Sequence, residues 1–407
     1  MSTGTQRGVR MIRIGIPTQG FRDWAGGVDF LFSVVDSLRA APADVELHLL
    51  DVAPRAPRGW KRLRRAIVEA LGGRTPERIT PALDCTEIAA RCDAEHRLTD
   101  DNGALVAAGR HLHLDAVLPS HGVLPDSLPC PWIGYLYDFQ HRHLPHLFTD
   151  RERRKRDEAF ARMVDSAPAV VVNSQDTASE ARRLYPHAAA RIHALPFNAS
   201  PRPDWLSAPD GRPDSAPAGP YFLISNQFWV HKDHSTAFRA FARVANGRPD
   251  VRLVCTGQTS DFRRPDYFGT LVELLDTLGI RDRVTIAGLV PKAEQIALLR
   301  HAVAVIQPTL CEGGPGGGAV YDAVSLGMRA IVSDIPINRE LADEPTLTFF
   351  RAGDPTSLAE AMHHALETQP ASVSASVLRE RGQARRAACG RSLLDIVAAL
   401  RTGRGKA

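Results

Sequence analysis

Cysteine is scarce in this chain, and what there is lies scattered. The six thiols, Cys85, Cys92, Cys130, Cys255, Cys311 and Cys389, include no CxxC pair. That spacing argues against a disulfide framework or a structural zinc site and fits reduced thiols. Long apolar runs are missing too, since none approaches the roughly 20 residues that span a bilayer. The opening MSTGTQRGVR lacks the apolar core of a signal peptide, which predicts a cytoplasmic protein. Neither sign of charge dominates. Lys and Arg number 50 against 46 Asp and Glu, for a net charge of +4, too balanced for a dedicated nucleic-acid binder. A complete GxGxxG fingerprint is also absent, so a dinucleotide site finds little support.

What the chain has is length and a repeating pattern. At 407 residues it exceeds the roughly 250–300 residues of a single core, so two domains are expected. Across 11–197, apolar strands at 11–18, 45–52, 115–120, 132–138, 169–174 and 191–197 alternate with helical stretches at 28–41, 60–71, about 150–164 and 176–185. The alternation predicts parallel βαβ units and an α/β, doubly wound sheet. Residues 198–220 hold six prolines and read as a linker or a long surface excursion. The pattern restarts across 221–385, with strands at 221–225, 251–257, 283–288, 302–309, 329–334 and 346–350 and a helix at 357–367. A last helix at about 390–401, within a terminal segment 386–407, is expected to return to the first domain. Two Rossmann-like sheets in tandem direct their strand C-termini toward a shared cleft, where ligands bind in such folds.

The most informative segment is AVAVIQPTLCEGGPGGGAVYDAVSLGMRAIVSD, residues 302–334. It predicts a strand, a glycine loop, a short helix and a second strand. Five of the six residues from Gly313 to Gly318 are glycine, which lets backbone amides approach a ligand. An amide-rich loop opening onto a helix N-terminus suits phosphate. Glu312 before the loop and Asp322 in the helix suit the hydroxyls of a ribose or sugar, and the combination points to a nucleotide sugar. Lys232 stands just before a helix starting near His234. A cation there is unfavourable unless an anion arrives, which marks it for phosphate too.

Weaker candidates accompany these. His231 and His234, at i, i+3, could share a helix face as metal ligands, but no nearby third ligand is evident and capping or packing roles are preferred. Gly26 and Gly27 follow the first strand and are either turn residues or a close approach to a pyrophosphate. Asp138, Gln140 and His141 end a strand, as sugar-binding or proton-transferring groups or as a polar turn. The basic segment 58–71, with Lys61, Arg62, Arg64 and Arg65 beside Trp60, is either a solvated helix face or a peripheral contact with the inner membrane surface. The run at 151–156 reads mainly as a solvated face.

With these residues the chain resembles the family-four, or group 1, glycosyltransferases of the GT-B fold. The segment from Ile306 to Leu341 is similar to their signature, and the likeness extends through YFLISNQFWVHKDH, TIAGLVPKAEQIALLRHA and WIGYLYDFQH. It covers most of the chain, from about residue 11 to 365. The resemblance implies two Rossmann-like domains facing across a cleft. It implies transfer of a sugar from a nucleotide-sugar donor, with retention, without metal and without a tightly bound cofactor, in polysaccharide or glycoconjugate biosynthesis. The acceptor would be a glycan, a lipid-linked glycan or a small molecule.

By the same resemblance, Glu312 would contact the transferred sugar and Asp322 the nucleotide ribose. Lys232 would neutralise the diphosphate, with the amides of Gly316, Gly317 and Gly318 beside it and Gly26 and Gly27 approaching from the other domain. Gly257 and the turn at Leu289 would adjoin the nucleobase. Asp138 would be the acidic member of a His-Asp-like pair, with Gln140 and His141 on the acceptor side. Three departures stand out. Nine residues rather than seven separate Glu312 from the second acid, which is Asp322 rather than Glu. Asn226 or Gln227 replaces the usual phosphate-binding arginine. Tyr137 replaces the histidine of the pair. Two alternatives stay open: a nucleotide-sugar epimerase of the same fold, with Glu312 and Asp138 or His141 as its acid/base groups, and a catalytically silent nucleotide- or glycan-binding subunit, which the lost arginine makes plausible.

Overall fold

The computed structural model describes residues 11–52, 84–99, 102–207, 211–369 and 372–403. The helix expected at 60–71 and the basic segment 58–71 lie outside the described residues. The first sheet contains β1 (Ile12–Pro17), β2 (Val45–Val52), β3 (Ala94–Leu98), β4 (Ala116–Ser120), β5 (Trp132–Tyr135), β6 (Ala169–Val172) and β7 (Ile192–Ala194), in the order β3-β2-β1-β4-β5-β6-β7. The second contains β8 (Tyr221–Ser225), β9 (Arg252–Thr256), β10 (Val284–Gly288), β11 (Ala304–Gln307), β12 (Ala330–Ser333) and β13 (Leu347–Phe350), in the order β10-β9-β8-β11-β12-β13. Every pairing is parallel. Central strands such as β4, β6, β11 and β12 are buried at every position, as expected where helices cover both faces.

The covering helices longer than two turns are α1 (Ala25–Ala40), α2 (Asn102–His111), α3 (Asp150–Ser166), α4 (Gln175–Leu184), α5 (His234–Gly247), α6 (Tyr267–Thr277), α7 (Lys292–His301), α8 (Gly317–Ser325), α9 (Pro355–Glu367) and α10 (Ala375–Gly403). Local chemistry sets their starts. Thr149 and Glu152 form a reciprocal capping box at α3, and Asp354 caps α9, with Pro355 as its first residue. α10 packs back onto the first sheet: Cys389, Leu393, Leu394, Ile396 and Val397 share a core with Ile14, Leu31, Val35 and Leu38. Within 198–220, Ala199 and Trp205 are buried against the second sheet, Trp205 from a short helix, Pro203–Ser207.

Each sheet reverses its strand order at one place, between β1 and β4 in the first and between β8 and β11 in the second. Loops leaving neighbouring strands at such a point diverge to opposite faces and leave a crevice at the strand C-termini. The two crevices face one another. Gly313, after β11, lies so close to the first domain that a Cβ there would fall 1.9 Å from the Tyr137 carbonyl oxygen, after β5. On the flank, the Glu340 carboxylate accepts from the backbone N–H groups of Gln175 and Asp176 at 3.0 and 2.7 Å, so one domain caps a helix of the other.

Candidate active site

The site is built around the β8–β11 reversal. Ala304 and Val305 register with Phe222 and Leu223, so the loops leaving the two strands emerge side by side although 80 residues separate Lys232 from Glu312. The Lys232 ammonium donates to Glu312 Oε1, and the two side chains are only 9% and 11% exposed. Gln307 Nε2 donates to the same carboxylate oxygen at 2.9 Å, and Gln307 Oε1 accepts from the Asn226 side chain. Asn226 is thus the first member of a neutral hydrogen-bond relay through Gln307 to Glu312. Gln227 beside it is half-buried.

The glycine loop divides into two parts. Gly313 and Gly314 meet the first domain, the second with a would-be Cβ 3.1 Å from Asn173 Cβ. Gly316 and Gly317 have φ of +72° and +64°, a left-handed backbone that favours glycine. They turn the chain into α8, and a Cβ on Gly317 would sit 3.2 Å from the Glu312 carboxyl. Gly316 N–H is already held, donating to Asn338 Oδ1 at 2.7 Å, while the buried Asn338 amide donates to the Ser333 carbonyl at 2.9 Å. Gly318 faces open space. It lies in the first turn of α8, where N–H groups lack intrahelical partners. Gly317 N–H donates to the Gly314 carbonyl at 3.3 Å, so Gly318 is the better placed amide for an anion.

Asp322 is buried inside α8 and bonded to Lys292 Nζ at 2.5 Å, with Gln295 Nε2 at 3.4 Å. Burial raises its pKa, against the lowering effect of Lys292. Across the cleft, Asp29 of α1 stays open to solvent yet is walled in enough that its pKa is raised, with Lys292 and Arg202 opposing the shift. Asp29 and Lys292 were not among the sequence candidates, because nothing in their local sequence marks them. Gly26 and Gly27 open α1, but the Trp24 indole lies over both. Gly257 donates its N–H to the Gly288 carbonyl at 2.7 Å, and Leu289 just beyond is 76% exposed.

Two acceptor-side candidates are buried. His141 is wholly buried among Phe139, Phe148 and Phe160, with Nε2 2.9 Å from Asp157 Oδ1. Gln140 is buried beside it. Asp138 instead accepts from the Gln140 N–H at 2.9 Å and pairs with Arg156 Nη1 at 3.0 Å. A histidine ring does lie against Tyr137, that of His121, just after β4 at the other reversal. It stacks on Tyr137 at 5.6 Å with a 4° tilt, and burial lowers its pKa. His231 and His234 are buried packing groups. His231 is held neutral by burial and by Lys232, and His234 stacks on Phe228 at 4.2 Å with its pKa lowered to about 3 by burial. Among the described residues, no three His, Cys, Asp or Glu side chains gather as a metal site.

Two parallel Rossmann-like sheets with facing crevices define a protein of the GT-B fold. Residues 212–385 match the family model for glycosyl transferases group 1. Solved structures agree on the fold. Alr3699/HepE of Anabaena in complex with UDP superposes with a TM-score of 0.60 at 14% identity, covering 96% of this chain and 100% of its own. A glycosyltransferase from Rickettsia africae gives 0.56 at 12% identity, covering 97% and 99%. Sucrose-phosphate synthase from Thermosynechococcus elongatus gives 0.53 at 15%, covering 96% and 94%. At these identities the likeness concerns the fold alone. No curated protein sequence matches the chain. Among the described residues no helix is long and apolar enough to cross a membrane.

Proposed function

We propose that this protein is a retaining glycosyltransferase, moving a sugar from a nucleotide-sugar donor to an acceptor hydroxyl in the cleft between the two sheets. The observation that carries the reading is the buried Lys232–Glu312 pair beside the N-terminus of α8. A donor diphosphate would take the Lys232 ammonium and the Gly318 amide at the start of α8. Glu312, freed from the cation, would accept from hydroxyls of the sugar. Asp322 would accept from the ribose, and the exposed Leu289 would cover the base beside Gly257 and Gly288.

The chemistry follows from charge. As the bond from the anomeric carbon to the diphosphate oxygen breaks, negative charge grows on the leaving group. Lys232 and the α8 dipole stabilise that charge more strongly than the ground state. The acceptor oxygen bonds to the anomeric carbon from the same face, and its proton passes to a diphosphate oxygen. Fixed dipoles and an ammonium meet the charge of the leaving group, so the reaction needs no metal. Closure of the sheets keeps water from the donor. The UDP in the Anabaena neighbour makes uridine donors the first to try. The site suits polysaccharide or glycoconjugate synthesis.

The test is incubation with a panel of nucleotide sugars, with and without an acceptor extract and with EDTA. Acceptor-dependent release of nucleoside diphosphate, unchanged by EDTA, is expected. Epimerised donor without acceptor, or binding without turnover, would overturn the reading.

A further inference from the structure

Beside this site, arginines from the two domains press on one aromatic ring. Arg156, on α3, holds its guanidinium 5.0 Å from the ring centroids of both Tyr137 and Phe148. Arg263, in the loop between β9 and α6 of the other domain, lies 4.6 Å from the same Phe148 ring, 4.5 Å from Phe262 and 5.8 Å from Trp229. Arg156 has Asp138 as its partner. Among the described residues no carboxylate lies within ion-pair distance of the Arg263 guanidinium.

The other acids nearby are turned to backbone donors. Asp261 accepts from the N–H groups of Val230 and Arg263 at 3.2 and 2.9 Å. Glu152 accepts from the Thr149 N–H and hydroxyl, both at 2.9 Å, in the α3 cap. Burial and the Arg156 charge lower the Arg263 pKa. Like charges brought together on one ring are unfavourable until an anion joins them.

We propose that Arg156 and Arg263 form a second anion subsite spanning the cleft, which binds a phosphate monoester carried by the acceptor. This rests on the glycosyltransferase reading. In that reading the donor's charge is met by Lys232 and the start of α8, whereas the arginines lie around Asp138, which Arg156 binds, and would be left to an acceptor. Two planar guanidinium forks on separate elements match a dianion with three oxygens better than a carboxylate with two. A phosphate held by one arginine from each domain also draws the cleft shut, so the acceptor would favour the closed state.

The experiment is calorimetry of UDP, inorganic phosphate, a set of hexose phosphates and the matching neutral hexoses, with wild type, Arg263→Gln and Arg263→Lys. Inorganic phosphate and at least one hexose phosphate are expected to bind both alone and with saturating UDP, and the neutral hexoses more weakly. Arg263→Gln should weaken phosphate binding about tenfold or more, Arg263→Lys less so, with UDP affinity within about twofold of wild type. Competition between the phosphates and UDP, equal phosphate affinity in Arg263→Gln, or no phosphate binding would overturn the subsite. If UDP itself fails to bind, the donor reading falls, while the phosphate titration without UDP still reports on the arginines.

Discussion

Lys232 and Glu312 form a buried ion pair between the loops that leave two adjacent strands, β8 and β11, where the second sheet reverses its order. Removing one partner strands the other charge in a poorly solvated place. The two truncations should therefore differ in kind. Lys232→Ala is expected to raise the donor KM by about tenfold and to lower kcat by about tenfold as well, because the ammonium meets the ground-state diphosphate and, more strongly, the charge that grows on it as the bond breaks. Glu312→Ala should lower kcat by about 10²–10³-fold, the scale for losing one preorganised polar contact. Steady-state kinetics with varied donor separates them, and unchanged kinetics in both variants removes the site.

Asp322 bears on the ribose. If it accepts from a ribose hydroxyl, Asp322→Asn should weaken UDP binding about tenfold, the scale of one or two hydrogen bonds. It should also narrow the preference for UDP over 2′-deoxyUDP. Lys292→Met should raise the Asp322 pKa further, because Lys292 is what opposes its burial. Donor affinity in that variant would then begin to fall at a higher pH than in wild type as the solution is acidified. Calorimetry across pH checks both.

Gly313 separates domain approach from donor binding. A Cβ at this position meets the Tyr137 carbonyl at 1.9 Å, and both sides of that contact are backbone. Gly313→Ala should hold the two domains apart while leaving the Lys232 side of the site in place. UDP affinity is expected to stay within about threefold, and kcat to drop by about 10²-fold, the cost of a misplaced reacting geometry. Loss of UDP binding in a folded variant would show that the loop acts on the donor directly.

Acid stability should depend on His234. Its ring is buried with neither nitrogen hydrogen-bonded, and its pKa is lowered to about 3 from 6.5. The unfolded chain takes up the proton near pH 6.5 and the folded one does not, so stability is full above that pH and declines as pH falls toward 3. Between pH 7 and pH 5 this one group accounts for a loss of about 2 kcal/mol. His231, shifted the same way, adds to the loss. Urea unfolding should show a shallower pH dependence in His234→Leu than in wild type, and identical slopes would refute the assignment.

The strands were legible where their physics is local. β4, β6, β8, β11 and β12 are apolar runs buried on both faces and announce themselves. β3 does not, because Ala94–Leu98 is an edge strand, partly exposed and carrying Glu95, His96 and Arg97. Helix α2 behind it was missed for the same want of a strong apolar pattern. The glycine loop and its flanking acids could be read as a donor site, since glycine, carboxylate and helix start lie consecutively in the chain. Its partition could not: nothing local says that Gly313 meets Tyr137 while Gly316 is held by Asn338.

Sequence alone determined the α/β class, the GT-B resemblance and the identity of Lys232, Glu312 and Asp322 as the groups to watch. The class follows from strand–helix alternation and the resemblance from the motif around the glycine loop, and both lie in runs of consecutive residues. Tertiary structure decided the pairings: Lys232 with Glu312, Asp322 with Lys292, Asp138 with Arg156, and Arg263 against Phe148 of the other domain. It also buried His141 among Phe139, Phe148 and Phe160 and brought His121 beside Tyr137. Each of these depends on which strands become neighbours and how the two sheets face, and parallel pairing joins segments too far apart in the chain for a local pattern to encode.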